Sequence, residues 1–254
     1  MAKLSATVKA NMSNTNIVKS ISEAPFQDFA SSRILPLYNG PHVSIRIGST
    51  SPDEFKVPKA LLCKQSPYFA ATFEGNFKEG RDHSTTLEEV DGVVTTRSFQ
   101  MLLQWLYIGR VVFGELSSSE AITAILEFVR LADMCGVNGM ESGMAKHITR
   151  LILTDDIVLA FRHGDAQTWC FKPQHVTSAA SLPKGHPVRD TLAAAAVKGY
   201  FQFHDSRFVD KAEEYPDFSV DVLIAMKATI RSLTCRKSSA TFKDPLSGDS
   251  FSLA

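Results

Sequence analysis

Hydrophobic residues recur along this chain with a period that changes at a few sharp places, and those places divide it into elements. Val43, Ile45 and Ile47 alternate with Ser44 and Arg46, the period of two that turns one face of a strand inward. The turn-rich stretch Gly48–Asp53 separates them from a second alternation, Glu54-Phe55-Lys56-Val57, so the two runs read as a hairpin. The period then lengthens. Pro58 suits a first helical position, and Ala60, Leu61 and Leu62 give the turn behind it an apolar face. Ser66 is placed to cap a second helix with Pro67 at its first position, and Phe69, Ala70 and Phe73 supply its apolar side before Gly75.

Thr85–Val90 reads as a short strand. Phe99, Leu102, Leu103, Leu106 and Tyr107 then fall at helical spacing, and Gly109 ends that run. Val111–Phe113 is a further extended piece. Ser117 and Glu120 stand at capping-box spacing ahead of Ile122, Ile125, Leu126, Val129 and Ala132, and Gly136 closes the helix. Met140, Met144, His147, Ile148 and Leu151 define the next one. A hairpin followed by short helices and extra strands is an α+β pattern, distinct from the alternating βαβ of a nucleotide-binding sheet.

After Thr154 the strand pattern stops. Helices are expected over Asp155–His163, Pro173–Ala180 and Val188–Gly199, the last with a small-residue face at Ala195 and Ala196. Ser219 is expected to cap a final helix carrying Val222, Leu223, Met226, Ile230 and Leu233. Neither end shows periodicity. The expected organisation is a disordered N-terminal tail (1–25), an α+β domain (38–153), a helical C-terminal extension (155–237) and a disordered tail (238–254).

Composition narrows the function. Among 254 residues, Lys plus Arg equals Asp plus Glu at 27 each, so no field of one sign draws in nucleic acid or an anionic membrane. The short basic run Arg231, Arg236 and Lys237 is too thin to change that. No apolar run approaches the ~18 residues of a membrane span, and the N-terminus has no signal-peptide core. Cys63, Cys135, Cys170 and Cys235 are scattered without a C-x-x-C pair, which suits reduced thiols in the cytoplasm or nucleus. G-x-S-x-G, P-loop, G-x-G-x-x-G and H-E-x-x-H patterns are all missing, so an enzyme is not expected and no cofactor is implied. His163, Cys170 and His175 are the one grouping that hints at a metal. Their spacing matches no common zinc pattern and lacks a fourth ligand, so no metal site is expected.

The order hairpin, F-K-V-P-K-A-L-L, S-P-Y-F, F-K-E, then F-Q-M-L-L-Q-W-L-Y-I-G-R resembles a BTB (POZ) domain from about Pro41 to Leu153. The elements Ser66-Pro67-Tyr68-Phe69 and Leu106-Tyr107-x-Gly109-Arg110 are its most specific parts. The resemblance implies a non-enzymatic interaction module that self-associates, typically as a dimer. It also implies that Phe77-Lys78-Glu79 corresponds to the apolar-x-Glu motif by which such adaptors hold the cullin scaffold of a ubiquitin ligase, with Tyr107 joining that contact. The helices after Thr154 would extend the same surface. An oligomerisation or scaffold module without a ligase link is the alternative. Where many members carry Asp ahead of the first strand and His ahead of the basic residue of the first helix, this chain has His42, and Pro58 before Lys59. The charged groove that receives co-repressor peptides in some members thereby loses its acidic partner. Pro58-Lys59, Gly40-Pro41 and the segment Leu182–Arg189 resemble BTB proteins of filamentous fungi. From the helical pattern alone, Tyr68 and Tyr107 are expected to pack in the core, Tyr68 against Leu61 and Leu102.

Overall fold

Strand β1 (His42–Ile47) is the middle strand of a three-stranded sheet because its alternation buries Val43, Ile45 and Ile47 on one face. A computed structural model describes residues 35–48, 54–154, 170–202, 208–236 and 239–252. β1 pairs antiparallel with β2 (Glu54–Pro58), the expected hairpin, and parallel with β3 (Ser84–Leu87) on its other side. The chain forms two compact units, one running to Val112 and including Glu127–Met140, the other comprising Phe113–Leu126 and Glu141 onward.

In the first unit a short helix α1 (Leu35–Tyr38) precedes β1. Pro58 ends β2 and stands just outside α2 (Lys59–Gln65), not at its first helical position as expected. Its backbone torsions are extended, which lets the strand pass directly into the helix. Ser66 and Pro67 behave as expected. The Ser66 hydroxyl accepts from the Phe69 amide, and Pro67 occupies the first turn of α3 (Pro67–Glu74), whose Phe69 and Phe73 are wholly buried. α4 (Lys78–Asp82) follows, then β3 and α5 (Thr96–Ile108). Thr95 and Ser98 exchange side-chain and backbone hydrogen bonds of 3.0 Å in a capping box at the start of α5. At its end Gly109 adopts φ +67°, the left-handed exit that glycine alone takes without strain. α6 (Ser118–Met134) starts in the second unit, with the expected Ser117–Glu120 capping box, and its residues from Glu127 onward belong to the first. Within the first unit, the Arg97 guanidinium on α5 grips the largely buried Glu127 carboxylate of α6 through two hydrogen bonds of 3.0 and 2.6 Å.

In the second unit α7 (Glu141–Leu153) packs on α9 (Pro187–Gln202), and α9 packs on α11 (Pro216–Arg231); α8 (Pro173–Ala179) and α10 (Val209–Glu214) complete the helical part. The small-residue face of α9 is buried at Ala193, Ala195, Ala196 and Gly199, which lets its neighbours approach closely. Ser219 does not cap α11. The helix starts three residues earlier at Pro216, and the Ser219 hydroxyl donates back to the Ala212 carbonyl of α10. Arg189 on α9 and Asp221 on α11 form an ion pair whose side chains are 4% and 3% exposed, and Arg189 also donates to the Leu182 carbonyl at 3.1 Å.

The expected disordered tail over 238–254 is corrected by a second sheet, β4 (Thr234–Arg236), β5 (Ser239–Lys243) and β6 (Ser250–Ser252), in that order and antiparallel. Two isolated aromatics hold it. Phe242 and Phe251 face each other across β5 and β6 and both meet Phe201 of α9, with ring centroids 5.2–5.9 Å apart. The Asp244 carboxylate accepts from the Leu246 amide and the Ser247 hydroxyl to close the turn between them. The C-terminal part is thus helical with a small terminal sheet. The expected tail over 1–25 and the expected helix over 155–163 lie outside the described residues.

Removing one member of a buried ion pair strands the other charge, whereas replacing both by apolar groups of like size removes both desolvation penalties. Urea titration is therefore expected to show Asp221→Ala destabilising by about 3–5 kcal/mol, and the Arg189→Met/Asp221→Leu double variant by much less.

Candidate functional surface

Two glycines shape the corner between α3 and α4. A Cβ on Gly75 would stand 2.4 Å from the Ala71 carbonyl oxygen and 3.0 Å from the Phe77 ring. A Cβ on Gly80 would stand 2.9 Å from the Phe73 carbonyl oxygen. α4 therefore folds tightly back over the end of α3, and the chain between them has little room to draw a large side chain inward. Phe77 sits at the N-cap of α4 with its ring outward, 61% exposed. Glu79 follows in the first turn and is half-buried. His83 closes α4 at φ +51°, and its carbonyl accepts from Ser44 of β1, tying the corner to the sheet.

Tyr68 does not pack wholly in the core as expected. Position 68 lies on the outer side of α3, so Phe69 is buried while Tyr68 stays part-exposed, its ring edge-on to Phe69 at 5.2 Å. Partial burial pushes its phenol above the usual range. Helical periodicity does not reveal that this ring stays partly at the surface. Tyr107 is likewise not a core residue. It lies in the last turn of α5, 39% exposed, with its ring tilted against Tyr38 of α1 at 5.7 Å. Gln65 of α2 donates to the Leu106 carbonyl at 3.0 Å and fixes the helix end that carries it. Leu35, Ile108 and Val112 are further exposed apolar residues of this unit.

A polar cleft of about 290 Å³ lies beside the corner, between α4 and the strands. Arg46, Lys78, Glu79 and Asp82 give it both signs of charge, with Ser44, Ser84, Thr85 and Thr86 completing the wall. Lys78 and Asp82 form an exposed pair at 3.9 Å, a geometry that contributes little. Lys59 donates to the Phe73 carbonyl at 2.7 Å, and so holds the end of α3. Its charge is engaged in the fold. His42 is exposed opposite Pro58 in the hairpin.

Nothing in these groups resembles a nucleophile with its base. Burial pushes the Cys135 thiol up to about 12, and burial together with the Glu74 carboxylate pushes Cys63 to about 11. Both are far from a reactive thiolate. Of the three residues weighed for a metal, His163 lies outside the described residues and Cys170 is buried against the Leu151 carbonyl. His175 accepts from the Lys172 amide at Nδ1, so its Nε2 carries the proton toward the Thr123 hydroxyl 3.0 Å away. Among the described residues no helix is long and apolar enough to cross a membrane.

Residues 42–142 match the BTB/POZ domain family. Among curated proteins, the chain is similar to the Kelch-like ECH-associated protein 1A of Danio rerio, with 40% identity over 62 residues. That stretch is 24% of this chain and 10% of the relative, so the match spans about a tenth of the relative's length.

Two measurements check this geometry. Phe77→Ala is expected to change unfolding free energy by less than about 0.5 kcal/mol, while Phe69→Ala costs about 3–5 kcal/mol. Alkylation with iodoacetamide at pH 8, read by mass spectrometry, is expected to label the exposed Cys235 in the native protein, while Cys63 and Cys135 react only after unfolding.

Proposed function

Since residues 42–142 are a BTB/POZ domain, an interaction module and not a catalytic one, we propose that this protein is an adaptor that self-associates through that domain and carries a target to a cullin-based ubiquitin ligase. The outward ring of Phe77 beside a half-buried Glu79 is the observation that carries the reading. A ring on a rigid corner suits an apolar pocket, and a carboxylate two residues on suits donors at a partner helix N-terminus.

Magnitudes set the extent of the surface. Burying the exposed part of Phe77 contributes at most ~1.5–3 kcal/mol, and a charge-assisted hydrogen bond to Glu79 ~1.5–3 kcal/mol. A micromolar complex needs about 8 kcal/mol beyond the cost of association. The tripeptide is therefore the centre of a larger contact. The part-exposed rings of Tyr68 and Tyr107 are the further aromatic contacts it would draw on. Neither is consumed by the core, which supports giving both a partner. The target would be held by other parts of the chain, in a reducing intracellular compartment that suits four free cysteines.

A second reading uses the domain as a scaffold without a ligase link. The exposed Leu35, Ile108 and Val112 favour it, since they are apolar surface available to a further copy or another protein.

Binding of the full chain to a purified cullin N-terminal domain, measured by isothermal titration calorimetry, decides between them. Wild type is expected to bind at micromolar concentration, with Glu79→Arg weakening it at least about ten-fold and Phe77→Ala by a similar factor, both folded by circular dichroism. Wild type failing to bind at about 50 μM, with light scattering showing a dimer, would select the scaffold reading.

A further inference from the structure

α11 is apolar on both sides. Phe218, Val222 and Thr229 are buried within its own unit, yet Leu223, Ile224 and Ile230 are 63%, 58% and 54% exposed and Val220 is 40% exposed. A helix apolar around its whole circumference is ordinarily buried around its whole circumference. Its rotation is fixed from inside. Asp221 is committed to Arg189, and turning Leu223 and Ile224 inward would carry that carboxylate into solvent and strand a buried guanidinium. The aliphatic face therefore stays outward although water disfavours it.

The order of side chains along that face indicates what covers it. Asp217, Val220, Ile224, Lys227 and Arg231 follow one another at steps of three and four, a single row down the helix, with Leu223 and Ile230 beside it. The row is acidic at its start, apolar at its middle and basic at its end. A copy of the same row laid antiparallel, with Ile224 facing Ile224, sets the other copy's Arg231 against each Asp217, whose exposed carboxylate also stands 3.9 Å from Arg189 of its own chain. A parallel copy would set like charges together at both ends. We propose that this face is a self-pairing surface that receives the same helix of a second copy of this chain, antiparallel, about a two-fold axis at Ile224. It is separate from the surface at the α3–α4 corner and does not depend on a cullin.

The four exposed aliphatics offer on the order of 400 Å² per copy, about half of what a standard interface buries on each side. Lys227, one step beyond Ile224 in the row, has the methylenes to lie along the aliphatics of a second copy with its ammonium at the rim. The pairing is therefore concentration-dependent. A chain that also dimerises through its BTB/POZ domain would be joined by it into larger assemblies.

The full chain in a Cys235→Ser background provides the test. Sedimentation velocity from 1 to 100 μM, a range set about the expected micromolar pairing, is expected to show an association step that Leu223→Asp weakens at least about ten-fold, since the substitution enters the interface twice. Arg231→Asp is expected to weaken it about three-fold or more, and adding Asp217→Asn, which removes the Asp–Asp repulsion without setting a cation against Arg189, to recover part of the loss. Mild oxidation is expected to cross-link the Ile224→Cys chain to itself faster than an Ala228→Cys chain. Association unchanged by Leu223→Asp would overturn the proposal. So would an Arg231→Asp/Asp217→Asn chain no better than Arg231→Asp alone, since a face covered by a different protein has no reason to recover.

Discussion

The Ser66 hydroxyl holds the first unit together at one point. It is fully buried, accepts from the Phe69 amide to start α3, and donates to the Cys135 carbonyl at 2.6 Å. A buried hydroxyl is stable only when paired, so the start of α3 and the end of α6 are fixed to each other. Pro67 reinforces the joint by packing against Gly136, where a Cβ would lie 3.0 Å from the proline ring. From there the geometry propagates. The direction of α3 decides that Phe69 and Phe73 enter the core while Tyr68 faces out. Its end, held by Lys59 at the Phe73 carbonyl, decides where Gly75 turns the chain and where Phe77 points.

Much of the first unit is legible in the sequence because local signals agree with tertiary structure. The alternation of β1, the Ser66-Pro67 cap and the Gly109 exit each specify a backbone conformation by themselves, as the Ser117–Glu120 box does in the second unit. The surface is less legible. Periodicity identifies an apolar face without saying how much of it a neighbour covers, so Tyr68 and Tyr107 looked like core and are half outside. Gly75 and Gly80 look like ordinary turn residues; their role appears only when a Cβ is seen to collide with carbonyl oxygens across the corner. Phe242 and Phe251 give no strand signal because two aromatics in a Ser-rich stretch make no pattern until they meet Phe201, some forty to fifty residues away in sequence.

The two units use buried charge in different ways. In the first, the half-exposed Arg97 fastens α5 to α6 through the largely buried Glu127. In the second, Arg189 and Asp221 fix the rotation of α11 and leave a greasy face in water. Only the second arrangement takes both charges out of water, and so gives up some stability for a definite surface.

The claim that the α3–α4 corner is the partner surface is tested most directly by hydrogen–deuterium exchange of the full chain with and without a purified cullin N-terminal domain. The account predicts slowed exchange in the amides of Gly75–Asp82 and at the end of α5 around Tyr107. Slowed exchange confined to other segments, with the amides of Gly75–Asp82 unchanged in a saturated complex, would contradict it.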